Sequence, residues 1–260
     1  MHIKEELKNM ADRNKVLICL TLCSIIEVLS CSASIEQRNQ LLFYFDKIEV
    51  SGSVDVFVKK GDKRGKVSIY ADSEVIDSVN AKVRQKTLII DANNSFEVQR
   101  RIPFVKIKAV RKFPVEVIVY VEKISEIRLL GQSNLTCNGV KSDGLNLFHA
   151  SSGNLFIEDV QSNVIKIEHI GSGLVRCKGN LTQRLEAEFK NEGGLDAGDL
   201  EIQSAKIIHR GSGQVEINSS NWVDARIFSS GHVFLHSKPE KMVVQQKGSG
   251  EITSLFPDQE

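Results

Sequence analysis

Hydrophobic and polar residues alternate with a period of two along much of the chain after residue 43. Leu145, Leu147 and His149 fall on one side of such a stretch, and the same pattern returns about twenty residues later. A period of two is typical of β-strands with one buried face. The apolar pairs of five successive stretches are Leu145/Leu147, Ile165/Ile167, Leu185/Ala187, Ala205/Ile207 and Val223/Ala225.

A small-residue turn and a second short strand follow each of these strands. Seven copies read GQSNLTC, SSGNLFI, GSGLVRC, EGGLDA, GSGQVEI, SSGHVFL and GSGEITS. Their apolar residues are Leu135, Leu155, Val175, Leu195, Val215, Val233 and Ile252, at intervals of 20, 20, 20, 20, 18 and 19. Nearly constant spacing of this size predicts a β-solenoid, in which each repeat is one coil stacked on the last.

The Gly-Ser-Gly turns are interpreted as corners of the coils. Glycine reaches positive φ without steric cost, serine bonds nearby backbone, and corners about 4.8 Å apart leave little room for side chains. A phosphate-binding loop is the alternative, but such a loop normally opens a helix and carries a lysine. Strands follow here, which favours the corner.

The front half keeps the strands and lacks the regular corners. Predicted strands lie in KIEVSGSVDVFVKKGD, KVSIYAD, AKVRQKTLIIDA, FVKIKAV and VEVIVYVEKISEIRLL, with one helical turn at residues 74–79. We predict an all-β protein in which an irregular front region, 43–130, caps and starts the stack. Regular coils then occupy 131–256, and 43–256 form one continuous domain.

Residues 1–33 have the pattern of an export signal. Arg13 and Lys15 precede the apolar run VLICLTLCSII, which is too short to span a bilayer, and the small residues SCSAS follow it. Two cleavage sites stay open. Cleavage before Cys31 would make a lipoprotein with Cys31 lipidated, whereas cleavage after Ala33 would discard that cysteine. Translation could begin at Met1 or at Met10.

The chain resembles the bacterial autotransporter adhesin-head (GIN) domain family. The resemblance rests on FDKIEVSGSVDVFVKKGD, ADSEVIDSVNAKVRQKTLII, VEVIVYVEKISEIRLLGQSNL and the recurring GSG strands, and it covers roughly Phe45 to Ile252. It implies a right-handed β-helix-like solenoid in a protein exported to the periplasm, the outer membrane or the cell surface. The family's function is poorly defined, so the resemblance implies fold and location rather than an activity.

Composition and cysteine spacing bear on whether the chain has a nucleic-acid partner, a disulfide or a metal site. A net charge of +1 with 26% charged residues does not indicate a nucleic-acid partner. Cys137 and Cys177 fall in one inward column with Ile157 between them, a predicted separation of about 9.6 Å that is too long for a disulfide. We expect buried free thiols, and no zinc motif or other cofactor pattern is present.

His149, His169 and His209 form another column, with Phe189 between the last two. A metal bridging the first pair is one interpretation. The favoured one is that each imidazole bonds a carbonyl of the adjacent corner, so no metal ligand is assigned.

A basic stretch is the best candidate for function. Its residues are Arg100, Arg101, Lys106, Lys108, Arg111 and Lys112, within thirteen positions that contain no acid. A second cluster is Lys59, Lys60, Lys63, Arg64 and Lys66. Anionic glycan, lipopolysaccharide or another envelope protein could bind there. The alternatives are a solvated face or an edge strand protected by lysine.

No catalytic motif is found. The outward carboxylates Glu168, Glu188, Asp196 and Glu216 lie among basic residues, as on an ordinary mixed surface. Outward Phe148, Phe156 and Phe234 could stack on sugars or lie beneath other groups. The sequence therefore favours a non-enzymatic binding or adhesion scaffold of the bacterial cell envelope. An enzyme on polysaccharide and a self-assembling structural protein are the alternatives.

Overall fold

A computed structural model describes residues 34–61, 65–102, 105–139 and 141–256, and the side chains of all of these except 96–111. The predicted signal segment with Cys31 lies outside this part, as do Lys63 and Arg64. The described residues form nineteen β-strands and one turn of 3-10 helix, Ile76–Ser78. The strands are β1 Ile35–Leu41, β2 Lys47–Gly52, β3 Asp55–Lys60, β4 Lys66–Asp72, β5 Val79–Arg84, β6 Thr87–Ala92, β7 Ser95–Ile102, β8 Val105–Lys112, β9 Val115–Val121, β10 Glu126–Gly131, β11 Asn134–Asn138, β12 Lys141–Ser151, β13 Leu155–His169, β14 Leu174–Phe189, β15 Gly194–His209, β16 Gln214–Ile227, β17 His232–Leu235, β18 Lys241–Gln246 and β19 Ile252–Ser254.

These strands build a β-solenoid of about six turns with coils about 20 residues apart, as predicted. Parallel pairing stacks β6, β2, β10, β12, the second halves of β13–β16, and β18 into a first face. The second face contains β9, β3, β11, the first halves of β13–β16, β17 and β19. The chain passes from the first face to the second at each corner.

The interior is a set of continuous side-chain columns. Leu155 pairs with Val175, Val175 with Leu195, and Leu195 with Val215, and all four side chains are buried. Each such aliphatic side chain contributes about 1.5–3 kcal/mol when it is removed from water. The predicted stacking of successive coils is therefore confirmed.

The front of the stack is irregular because antiparallel strands join it. β4 pairs antiparallel with β9 and β1, and β5 pairs antiparallel with β6. Strand β1 was not predicted, since IEQRNQL has no period-two apolar pattern. Its alternate residues Arg38 and Gln40 pair with buried Ile69 and Val67. Polar side chains consequently close this end of the core.

The later corners require glycine for space rather than for positive φ. A Cβ on Gly173 would stand 1.8 Å from the carbonyl oxygen of Gly153, and one on Gly213 would stand 2.1 Å from that of Gly193. Neither residue has positive φ, which among the corner glycines belongs to Gly52 and Gly131. The expectation of positive φ was therefore wrong for the Gly-Ser-Gly turns, while the expectation of crowding was right.

Candidate functional site at the corner hairpin

One corner of the solenoid carries an inserted β-hairpin. Strands β7 and β8 pair antiparallel with each other and form a two-stranded sheet separate from the stack. They lie between β6 of the first face and β9 of the second, where the other corners take two to five residues. The basic stretch predicted from the sequence therefore belongs to an addition at a corner rather than to a strand of the stack.

The base of this corner hairpin is fixed by a buried asparagine. The Asn94 side-chain amide donates to the carbonyl oxygens of Ser53, at 2.7 Å, and Phe113, at 2.6 Å. The Phe113 backbone N–H donates back to the Asn94 carbonyl oxygen at 3.0 Å. Asn94 thus joins both ends of the insertion to the adjacent corner, and buried carbonyls there are satisfied.

The strand register arranges the six basic positions. Arg101 lies opposite Lys106, while Lys108 lies opposite Gln99 and Lys112 opposite Ser95. Opposed residues of an antiparallel pair share one face, so the positions of Arg101, Lys106, Lys108 and Lys112 share a face of the hairpin. Arg100 and Arg111 occupy positions on the other face.

The side chains of Arg100, Arg101, Lys106, Lys108 and Arg111 lie outside the described part of the structure. Lys112 is described. It is exposed, and its Nζ donates to Oε1 of Gln132 at 2.7 Å, in the neighbouring corner.

The second basic cluster lies elsewhere on the solenoid. Lys59 and Lys60 end β3, whereas the corner hairpin enters β9 at its beginning. Since β3 and β9 run parallel, with Asp55 opposite Glu116 and Lys60 opposite Val121, the two clusters lie at opposite edges of the second face. A strand of this length separates Lys60 from the base of the hairpin by roughly 15–20 Å.

The histidine column packs against the corners. Nε2 of each ring donates to a glycine carbonyl oxygen, from His149 to Gly153 at 2.9 Å and from His169 to Gly173 at 2.9 Å. The His149 and His169 ring centroids are 4.4 Å apart. Burial, followed by the neighbouring His169, lowers the pKa of His149 from its usual 6.5 to about 4. These imidazoles therefore hydrogen-bond the corner backbone through Nε2, and the lowered pKa favours the neutral ring. This is the favoured interpretation of the sequence.

The third histidine makes the same contact. Nε2 of His209 bonds the Gly213 carbonyl oxygen at 2.8 Å, and its Nδ1 accepts from the Gly211 N–H at 3.2 Å. Burial lowers the pKa values of both His169 and His209. No group of three or more His, Cys, Asp or Glu side chains suited to a metal occurs within the residues that the structure describes.

The outward carboxylates are held by basic neighbours. Arg176 Nε lies 2.7 Å from Asp196 Oδ2, and Lys190 Nζ lies 2.9 Å from Glu168 Oε1. Arg210 Nε lies 3.5 Å from Glu188 Oε1. Carboxylates in such surface ion pairs form a mixed charged surface.

Two of the outward phenylalanines are covered by arginines. The Arg128 guanidinium carbon lies 4.3 Å from the Phe148 ring centroid, and that of Arg176 lies 5.4 Å from the Phe156 ring centroid. Each of these cation–π contacts occupies one face of a phenylalanine ring. Both pairs are separated by twenty residues, so the coil spacing places them side by side, but the contacts themselves depend on the side-chain conformations.

The predicted cysteine column is confirmed. Cys137 pairs with Ile157, Ile157 pairs with Cys177, and both cysteines are buried and free. Burial raises the pKa of each thiol to about 12. Neither thiol is equipped for nucleophilic chemistry.

Together these features define a β-solenoid with an accessory hairpin on one corner. The family model described as "Putative auto-transporter adhesin, head GIN domain" matches residues 44–239, and the chain belongs to this family. The family predicted from the sequence is therefore confirmed. Among curated proteins none matches the chain.

Solved structures share the fold. A "putative adhesin" from Bacteroides fragilis is similar with a TM-score of 0.75 at 19% identity, covering 86% of this chain and 98% of that one. A "putative lipid binding protein" from Parabacteroides distasonis gives a TM-score of 0.65 at 18% identity, with the same coverage. At these identities the likeness concerns the fold. Across the described residues, no helix combines the length and hydropathy needed to cross a membrane.

Proposed function

We propose that this chain is an exported, non-enzymatic binding protein of the bacterial cell envelope that holds an anionic polysaccharide through the corner hairpin. The observation that carries the proposal is the placement of the hairpin. It adds no strand to the stack, yet it contains six basic residues within thirteen positions without an acid. A segment that lies outside the strand stack is free to serve recognition.

The hairpin suits a polymer with repeated negative charges. Lys106 and Lys108 occupy alternate positions of one strand, which are about 6.7 Å apart, and Arg101 lies opposite Lys106. Several cations at such spacing attract sulfate, phosphate or carboxylate groups along a chain. The anchored base at Asn94 limits the ordering cost of binding, because it fixes where the hairpin leaves the solenoid.

Export and the absence of catalysis belong to the same proposal. The signal-like segment 1–33 and membership of an adhesin-head family favour a location in the envelope. The paired outward carboxylates favour binding over hydrolysis.

Retention on immobilised heparin or on immobilised lipopolysaccharide tests the site. The charge reversal Lys106→Glu/Lys108→Glu should elute at clearly lower salt than the unmodified protein. The control is Lys141→Glu/Lys238→Glu, which makes the same change in net charge at exposed residues on the opposite edge of the solenoid. Equal elution of both variants would contradict the site, since only net charge would then matter.

A further inference from the structure

The last coil of the solenoid presents two strands with one unused edge each. β18 pairs with β16, and β19 pairs with β17. Within the part of the chain that the structure describes, no strand pairs with their other edges. Edge strands expose rows of backbone donors and acceptors, and a sheet edge of this kind readily accepts another strand.

Apolar positions at this end are also uncovered. Met242 pairs with Val223 and Val244 pairs with Ala225, which places both in inward columns whose previous members are completely buried. Met242 is nevertheless 50% exposed, Val244 44% and Leu255 51%. Together with the two strand edges, these residues form what we call the terminal face.

The opposite end of the stack has different chemistry. There Arg38 and Gln40 of β1 occupy inward positions, and Arg38 donates to the Val79 carbonyl oxygen and pairs with Asp77 at 3.6 Å. Docking the terminal face of one copy on this end would bury a charged side chain against Met242 and Val244, which is costly. Head-to-tail stacking into a filament is therefore disfavoured.

We propose that the terminal face binds the terminal face of a second copy of this chain, giving a closed two-fold dimer. The face meets the requirement of such an interface, because it offers the same unused edge and the same apolar residues to its own copy. The dimer pairs β18 antiparallel with β18 of the partner, because strands of equal length satisfy each other's edges. Pairing β18 with the three-residue β19 would leave half of the edge open.

The side-chain alternation of β18 restricts the register. Residues that lie opposite each other in an antiparallel pair share one face of the sheet. Registers in which one residue lies opposite its own copy therefore pair inward residues with inward residues. A shift by one residue would place Met242 and Val244 opposite outward residues of the second copy. The register centred on Val243 places Met242 opposite Val244 of the second copy, twice. Among these registers, it is the one that pairs the exposed inward residues Met242 and Val244 with each other.

Light scattering on protein purified from cells expressing the full chain tests the dimer. The expected native mass is twice the chain mass, and Met242→Lys/Val244→Lys should return it to a single chain. The control Leu181→Lys alters a side chain that is similarly exposed, at 49%, on another part of the solenoid, and it should leave the dimer intact. A single-chain mass for the unmodified protein, or a dimer that survives the double lysine variant, would overturn the proposal.

A cross-link tests the pairing without relying on a charged substitution. In the full chain with Cys19, Cys23 and Cys31 replaced by serine, Val243→Cys should oxidise to a covalent dimer. Opposed Cα atoms of an antiparallel pair are about 4.5–5.5 Å apart, within the range of a disulfide. Leu181→Cys, in the same background, should stay monomeric on a denaturing gel. No cross-link at Val243→Cys would refute the two-fold arrangement.

Discussion

Nε2 of His169 donates a hydrogen bond of 2.9 Å to the carbonyl oxygen of Gly173, across the corner that the two residues bound. Because a carbonyl oxygen only accepts, a proton resides on Nε2, and burial, which lowers the pKa of His169, favours the neutral ring. His149 and His209 repeat the contact one coil before and two coils after. The stability of the coil corners therefore depends on the protonation state of these buried imidazoles.

Acidification should destabilise the solenoid. The folded-state pKa values of the three histidines lie below the ordinary value, because burial disfavours the charged ring. The unfolded chain then binds more protons between pH 6.5 and about 4, so the free energy of unfolding decreases as the pH falls through that window. His149, with a pKa lowered to about 4, contributes about 1–2 kcal/mol of this loss at pH 5. Urea midpoints at pH 7 and pH 5 measure it.

The variant His169→Phe serves as the control for this prediction, because Phe189 already occupies the next position of the same column. It should show a smaller difference between the two midpoints. A pH dependence identical to that of the unmodified protein would contradict the role given to this histidine.

Gly173→Ala should be strongly destabilising. The added Cβ would meet the Gly153 carbonyl oxygen at 1.8 Å, so the backbone of two coils would have to separate. We expect a loss of about 2 kcal/mol or more in the free energy of unfolding. The matched control is Gly144→Ala, where nothing lies within 4 Å of the new atom and φ is not positive. Thermal melting of both variants checks the contrast, and equal melting temperatures would refute stacked corners.

Asn94→Ala should weaken the attachment of the corner hairpin. The substitution leaves the Ser53 and Phe113 carbonyl oxygens without their side-chain donor, at a cost of about 1–3 kcal/mol. Limited proteolysis should then cut the chain between residues 95 and 112 sooner than in the unmodified protein. Asn138→Ala, at an exposed asparagine, should leave the cleavage rate unchanged. Faster cleavage in both variants would show that Asn94 has no special role.

Cys137 and Cys177 should resist thiol reagents in the folded protein. Both are buried, and a pKa of about 12 leaves almost no thiolate at neutral pH. Mass spectrometry after alkylation should find these two cysteines unmodified in buffer and modified in denaturant. Rapid labelling in buffer would contradict the burial of Cys137 and Cys177 in the interior columns.

The regular coils were predictable because period-two alternation and a spacing near twenty residues are properties of the chain itself. The same holds for the corner role of the histidines, since each lies two residues before a Ser-Ser-Gly or Gly-Ser-Gly turn. Strand β1 escaped prediction because Arg38 and Gln40 occupy inward positions that normally hold apolar residues.

Placement of the basic stretch also required coordinates. FVKIKAV has the alternation of any strand, so nothing local distinguishes a strand of the stack from one arm of an inserted hairpin. Its partner β7, SFEVQRRI, alternates less clearly. The cation–π contact on Phe148 likewise depends on the side-chain conformation of Arg128.

Excision of the corner hairpin tests most directly the claim that the stack supplies stability while the hairpin supplies binding. Residues 96–111 are replaced by a short Gly-Ser linker, since Ser95 and Lys112 already lie opposite each other. Thermal melting and retention on immobilised heparin are then measured on the same sample. The account predicts a melting temperature close to that of the unmodified protein and loss of most retention. Unchanged retention, or failure of the shortened chain to fold, would contradict it.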